Sequence, residues 1–109
     1  MPQRVQFDTI RTVAHASITS SYVALGGALG FTTRIICITN NTDGDMLFSL
    51  DGTDDEMFVA AGSYKTYDFN TNRDLQDPMF ALAVGQQFYI KYSSSPSKGA
   101  VYIECVYGN

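Results

Sequence analysis

Apolar and polar residues alternate along most of this chain, and turn-forming residues interrupt the alternation roughly every ten positions. Successive side chains of a β-strand point to opposite faces, so a period of two is typical of strands with one buried face. β-branched and aromatic residues, which favour strands, dominate the alternating segments. No segment shows the 3.6-residue periodicity of an amphipathic helix. The sequence therefore predicts an all-β protein.

Nine alternating segments, separated by tight connections, predict about eight short strands. They cover residues 10–18, 22–25, 32–39, 46–50, 57–60, 64–69, 80–84, 87–92 and 100–107. The 109 residues are close to the commonest size of one domain, and no linker or internal repeat divides them. We therefore expect a single antiparallel β-sandwich or jelly-roll-like domain over residues 1–109, with residues 1–9 as a candidate N-terminal arm.

The alternation also predicts which side chains face the core. The inward set of the first segment is Ile10, Thr12, Ala14, Ala16 and Ile18. In the last segment Val101, Ile103 and Cys105 are expected inward, and Tyr102 and Glu104 outward. Residues 40–45, rich in Asn and Asp, are expected to form a turn. Residues 35–38 are apolar on both faces, so we expect the outer side of that strand to be covered as well as the inner side.

The charge of the chain argues against two classes of partner. Seven basic residues are scattered among eleven acidic ones, for a net charge of −4. Nucleic acids and anionic membranes are bound by basic patches, so neither is expected as a direct partner. No apolar run approaches the roughly 20 residues of a membrane span, and the N-terminus has no signal-peptide core. These features predict a protein made in a cytoplasm.

Few residues suited to catalysis or metal binding are present. His15 is the only histidine, it is expected on the polar face of the first strand, and nothing in the sequence marks a partner for proton transfer. No nucleophile elbow and no His-Glu-x-x-His zinc motif occurs. We therefore expect no enzyme, no cofactor and no metal.

Two further features have alternative interpretations. Six acidic residues fall within two neighbouring turns: Asp43, Asp45, Asp51, Asp54, Asp55 and Glu56. They could supply oxygen ligands to calcium, but their spacing does not match an EF-hand, and solvated turns are the preferred interpretation. Cys37 and Cys105 are expected to be buried free thiols; because both are assigned to inward faces, a disulfide remains the alternative.

The seven tyrosines favour a binding surface. Tyrosine is enriched at protein interfaces because it combines a stiff apolar ring with one polar tip. Aromatic residues also line sugar-binding faces, but tryptophan, common in such faces, is absent. A protein interface is therefore preferred to a sugar platform, and the candidate interface residues are Tyr22, Arg34, Ile36, Tyr89 and Tyr102.

Six motifs spread over nearly the whole chain resemble a group of small virion proteins of tailed bacteriophages. They are FDTIRTVA at 7–14, ITSSYVALG at 18–26, RIICITNNTD at 34–43, FSLDG at 48–52, GQQFYIK at 85–91 and GAVYIE at 99–104. The resemblance implies a non-enzymatic β-sandwich protein that decorates the capsid or belongs to the head–tail (neck/tail) junction. It also implies other virion proteins as partners, a homo-oligomer in the assembled particle, and the virion as final location. The alternative is a monomeric β-sandwich module that binds a sugar or a peptide.

Overall fold

The computed structural model describes residues 5–68 and 82–108 and confirms the all-β prediction. Its described residues form nine strands and one 3₁₀ turn, His15–Ser17. The strands are β1 (Val5–Phe7), β2 (Arg11–Ala14), β3 (Val23–Leu25), β4 (Ile35–Thr42), β5 (Met46–Ser49), β6 (Met57–Val59), β7 (Tyr64–Asp68), β8 (Phe88–Tyr92) and β9 (Gly99–Gly108). Of the predicted segments, residues 69, 80 and 81 lie outside the described part, and Leu82 makes a single β-bridge with Thr33.

Two antiparallel sheets pack face to face as a sandwich. The five-stranded sheet has the order β1-β9-β4-β7, and β2 pairs with β9 along the same edge as β1. The four-stranded sheet has the order β3-β8-β5-β6. β9 is the longest strand, and it holds β1, β2 and β4 in register.

The core lies between the sheets and takes side chains from both. Thirteen apolar residues are buried there: Ile18, Leu25, Leu29, Ile36, Ile38, Met46, Phe48, Val59, Phe88, Ile90, Val101, Ile103 and Cys105. Full burial of each large apolar side chain contributes about 1.5–3 kcal/mol to folding. The predicted inward set of β9 is confirmed, because Val101, Ile103 and Cys105 have no exposed surface.

The predicted first strand is wrong in length and in its inward face. β2 ends at Ala14, and Arg11 and Val13 face the core, while Ile10 is 51% exposed. The inward face differs from the prediction because the fold buries Arg11, a residue expected at the surface. All five N–H groups of its side chain have acceptors: the carbonyls of Thr9, Gly27 and Ala28, the Asp8 carboxylate and the Cys105 sulfur. The 3₁₀ turn then shifts the alternation, and Ile18 is buried as predicted.

The predicted turn at residues 40–45 begins later than expected, because β4 continues to Thr42. Asn40 is fully buried, and its side-chain amide donates to the carbonyls of Gly44 and Val59 at 2.8 and 3.0 Å. Its Oδ1 accepts hydrogen bonds from the backbone N–H and the hydroxyl of Thr42. All four of its hydrogen-bonding positions are thus used, so a residue typical of turns is stable inside the sandwich.

The two cysteines lie on opposite faces of the five-stranded sheet. Cys105 is paired with Ile36 on the inner face, whereas Cys37 is paired with Glu104 on the outer face. The assignment of both to inward faces is therefore wrong for Cys37, which is half-buried. The two thiols are free, and their placement excludes the alternative of a disulfide between them.

Candidate interaction surfaces

The outer face of the five-stranded sheet carries a row of apolar side chains across three strands. The register places Phe7 of β1 beside Val106 of β9, and Val106 beside Ile35 of β4. Directly paired residues share a face, so the three side chains lie side by side. Phe7 is 70% exposed, while Ile35 and Val106 are half-buried.

A second row on this outer face is aromatic and polar. Tyr102 of β9 lies between Thr12 of β2 and Thr39 of β4, and Thr39 is paired with Tyr64 of β7. Tyr64 is 69% exposed and Tyr102 is half-buried. Between the two rows Cys37 is paired with the exposed Glu104. In the described part of the chain, Tyr102 and Glu104 make no side-chain hydrogen bond or ion pair.

Part of the outer face of the four-stranded sheet is covered by the acidic loop, which we define as residues 50–56; Phe58 of β6, on the same face, is 41% exposed. Tyr22 donates its hydroxyl to Asp55 Oδ1 at 2.6 Å, and Lys91 Nζ lies 3.1 Å from the same oxygen. Lys91 Nζ also lies 4.7 Å from the centroid of the Tyr22 ring. A Cβ added to Gly52 would stand 3.4 Å from the ring of Tyr89. The loop therefore rests on this part of the face, and Tyr22 and Lys91 hold it there through Asp55.

Hydrogen bonds and charges inside the acidic loop set the pKa values of its carboxyl groups. The backbone N–H of Asp54, the Ser49 hydroxyl and the N–H of Thr53 hold the pKa of Asp51 well below its usual range. The negative charge of Asp51 raises the pKa of Asp54. Carboxylate oxygens of Asp51, Asp54 and Glu56 lie within 4.8 Å of one another. Glu56 Oε1 also accepts a hydrogen bond from the backbone N–H of Leu50, so these oxygens stabilise the turn.

The five candidate interface residues do not form one surface. Tyr22 and Tyr89 lie on the outer face of the four-stranded sheet, beneath or beside the acidic loop. Tyr102 lies on the outer face of the other sheet, and Arg34 precedes β4 with its N–H bonded to the Val106 carbonyl. Ile36 is a core residue with 1% of its surface exposed, so it cannot contact a partner in the folded protein.

Sequence reasoning indicated an apolar outer side for residues 35–38, to which Ile35 belongs, but it missed Phe7 and Val106 and therefore the apolar row that the three residues form. A signal for part of it existed, because Val106 has the same parity in β9 as Tyr102 and Glu104, which were assigned outward. Phe7 could not be found in this way, since its position depends on the pairing of β1 with the far end of the chain.

A cleft of about 510 Å³ lies beside Arg11, between residues 8–12 and the Gly26–Gly30 turn. Arg11 is 7% exposed, and its N–H groups are all bonded within the protein. Burial would raise the pKa of the Asp8 carboxyl, but hydrogen bonds from Thr9 and the charge of Arg11 outweigh it and lower the pKa. The charged groups of the cleft therefore stabilise the fold and leave no free donor for a ligand.

His15 is not placed as the sequence suggested. It lies in the 3₁₀ turn, half-buried, with Nδ1 3.2 Å from the carbonyl oxygen of Gly99. No described carboxylate or hydroxyl is hydrogen-bonded to its ring, so the structure adds no catalytic partner within residues 5–68 and 82–108.

Comparison with known proteins yields no family for this chain: no protein-family model matches it, and no curated protein matches it significantly. No helix in the described ranges is long and apolar enough to cross a membrane.

Proposed function

We propose that this protein is a non-enzymatic structural component of a tailed-phage virion. It is made in the cytoplasm of the bacterial host and attaches to the capsid or to the head–tail junction. The outer face of the five-stranded sheet is the attachment surface. The observation that carries the proposal is the apolar row of Phe7, Ile35 and Val106 on that face, next to Tyr102 and Tyr64. The sequence resemblance supplies the class of particle.

The outer face is large enough for a specific contact. Four strand positions at about 4.8 Å spacing, and the eight residues of β4 at about 3.3 Å each, give a surface of roughly 500 Å². Covering it against an equal partner surface buries roughly 1,000 Å² in total, which is near the lower limit for a specific interface. Its exposed aromatic residues are of the type enriched at such interfaces.

The charge on this face favours a partner other than an identical face. Glu104 is exposed near its centre and has no partner of its own in the described chain. Two copies stacked by a two-fold axis through this centre would bring two Glu104 carboxylates together, which is unfavourable. A different virion protein with a basic residue at that point fits better, and copies of this chain would then be held next to each other on the particle.

Particle incorporation tests the proposal. Ile35→Lys places a charge in the apolar row, whereas Val84→Lys changes a loop residue of similar chemistry that is 61% exposed. We expect mass spectrometry of purified phage to find the wild-type chain and the Val84→Lys variant, and the Ile35→Lys variant to be strongly depleted. Circular dichroism of both variants establishes that they remain folded.

Two results would contradict the structural role. If the wild-type chain is absent from purified particles and light scattering shows a strict monomer, the sugar- or peptide-binding module becomes the better hypothesis. If both variants are incorporated equally, the protein is a virion component but attaches through another surface.

A further inference from the structure

Glu104 is an exposed charged residue near the centre of the outer face of the five-stranded sheet. Its neighbours on that face are Cys37 across the ladder, Tyr102 and Val106 along β9, and Ile35 and Thr39 diagonally on β4. These side chains are apolar or carry a thiol or a hydroxyl group. The Glu104 carboxylate is therefore surrounded by groups that do not neutralise its charge.

The outward strand positions of this face carry no basic side chain in the described part of the chain. The register assigns the outward positions of β2, β4, β7 and β9, and the only charged residues among them are Glu104 and Asp68, both acidic. The basic residues of these strands, Arg11 and Lys65, are paired with core residues and so leave the sheet on its other side. The charge at these positions is therefore complementary to a basic partner.

An identical face is the partner that Glu104 opposes most directly. In a face-to-face pair of copies, a two-fold axis along β9 would place the apolar row on the apolar row, Tyr102 on Tyr102 and Glu104 on Glu104. The apolar and aromatic contacts would be favourable, since such residues are typical of interfaces. The two carboxylates would repel each other where water is excluded, and this repulsion opposes the pairing.

We propose that Glu104 is the specificity-determining residue of the attachment surface: it selects a partner that presents a lysine or an arginine, and it excludes an identical copy. A basic side chain opposite Glu104 forms a charge-assisted hydrogen bond when the surrounding contacts remove water. An apolar or acidic group at that place leaves a carboxylate buried without a partner, which is unfavourable. The selection of a basic partner rests on the proposed virion role, whereas the exclusion of an identical copy is a property of the isolated protein.

Charge reversal at position 104 tests the proposal with purified protein in sedimentation velocity. Like charges still meet in Glu104→Lys, so we expect this variant and the wild type each to be monomeric. An equimolar mixture should form a heterodimer, because each lysine then faces a carboxylate, with association at least about tenfold tighter than that of either protein alone. Glu104→Gln, which removes the charge, should self-associate more tightly than the wild type.

Two control variants locate the contact. Asp54→Lys reverses an exposed carboxylate of the acidic loop, on the other sheet, so its mixture with the wild type should stay monomeric. Adding Ile35→Lys to Glu104→Lys places a charge in the apolar row and should abolish the heterodimer. Circular dichroism checks that each variant folds, and Glu104→Arg replaces Glu104→Lys if the lysine variant does not.

The proposal is overturned if the mixture of wild type and a folded charge-reversed variant associates no more than either protein alone, or if the Asp54→Lys mixture associates equally well. In purified phage we expect Glu104→Lys to be strongly depleted relative to the wild type. Equal incorporation of the two would overturn the selection of a basic partner and leave the virion role intact. Absence of the wild type from particles would contradict the virion role, and the mixing experiment would still decide whether Glu104 excludes an identical copy.

Discussion

The two outer faces of the sandwich are completed in different ways. On the four-stranded sheet the acidic loop covers the part of the face around Tyr22 and Lys91, which both bind Asp55, while Phe58 on the same face is 41% exposed. On the five-stranded sheet Phe7 and Tyr64 keep more than two thirds of their surface exposed, at 70% and 69%. Both faces carry aromatic residues, so aromatic content does not distinguish them. What distinguishes them is that the acidic loop lies against Tyr22 and Tyr89 on one face, whereas Phe7 and Tyr64 on the other are left largely exposed by the described chain.

This difference bears directly on function. The hydroxyl of Tyr22 is engaged by a carboxylate, whereas Tyr102 has no side-chain partner in the described chain. A surface whose polar groups are satisfied internally gains little from a partner, and an unsatisfied surface can gain specific contacts. The comparison therefore supports the five-stranded sheet as the attachment surface in our proposal, and the acidic loop as part of the fold.

The largest effect is expected in the reactivity of the two thiols. Cys37 is half-buried on the outer face, whereas Cys105 is fully buried and burial raises its pKa. Only the thiolate reacts, so labelling of Cys105 requires opening of the core, which costs several kcal/mol. We expect Cys37 to react at least about a thousandfold faster in the native protein.

Maleimide labelling of the single-cysteine variants Cys37→Ser and Cys105→Ala, followed by mass spectrometry, measures both rates. Slow labelling of Cys37 in purified particles, with fast labelling in the free protein, would place a partner on the outer face. Equal rates for the two thiols in the free protein would mean that the outer face is not accessible, and the comparison would fail.

A pair of glycines tests whether the acidic loop really rests on its sheet. Gly52 and Gly62 have positive φ values of 78° and 70°, but only at Gly52 does an added Cβ approach a side chain, the ring of Tyr89. Gly62→Val should cost about 2 kcal/mol from the backbone conformation alone. Gly52→Val should cost about 1 kcal/mol more, because its branched side chain also presses on Tyr89. Urea unfolding of the two variants gives the difference, and equal costs would show that the loop does not contact the sheet.

The Tyr22–Asp55 hydrogen bond predicts a pH-dependent contribution to stability. The Tyr22 hydroxyl and Lys91 lower the pKa of Asp55, so their stabilisation is complete above the unfolded-state pKa of about 3.9. It is lost as the pH falls through the lower pKa of the folded state. We expect Tyr22→Phe to melt a few degrees below the wild type at pH 7, and this gap to close in acid. Tyr64→Phe, at an exposed tyrosine of the other sheet, is the control and should show no gap at either pH.

Alternation predicted the fold class and the inner face of β9, because β9 has one continuous buried face. It failed at β2 and β4 because Arg11 and Asn40 are polar residues that the fold buries. Their acceptors, such as Gly27 for Arg11 and Val59 for Asn40, are distant in sequence, so no local pattern reveals that the burial is satisfied.

The candidate surface was less predictable than the fold for the same reason. Tyrosine content indicated an interface, but which tyrosines share a face depends on strand pairing between distant segments. Tyr89 and Tyr102 were grouped as candidate interface residues from the sequence. They lie on opposite sides of the molecule, because β8 and β9 belong to different sheets.

The smallest expected effect is that of metal removal, which should be none. The acidic loop holds three carboxylates within 4.8 Å, but an oxygen of Asp51 and one of Glu56 already accept N–H groups of the loop itself. Chelation should therefore leave the melting temperature unchanged within error, and added calcium should not raise it.

The Asp54→Asn variant distinguishes an acidic loop held by its own hydrogen bonds from a loop that binds calcium. The negative charge of Asp51 raises the pKa of Asp54, so the two carboxylates repel each other at neutral pH. Neutralising Asp54 should then leave stability unchanged or slightly higher, whereas removal of a calcium ligand would lower it. If a chelator lowers the melting temperature, calcium restores it, and Asp54→Asn abolishes that response, the loop needs an ion to stay on its sheet. The outer face of the four-stranded sheet would then be covered only conditionally, and the contrast between the two faces would depend on calcium concentration.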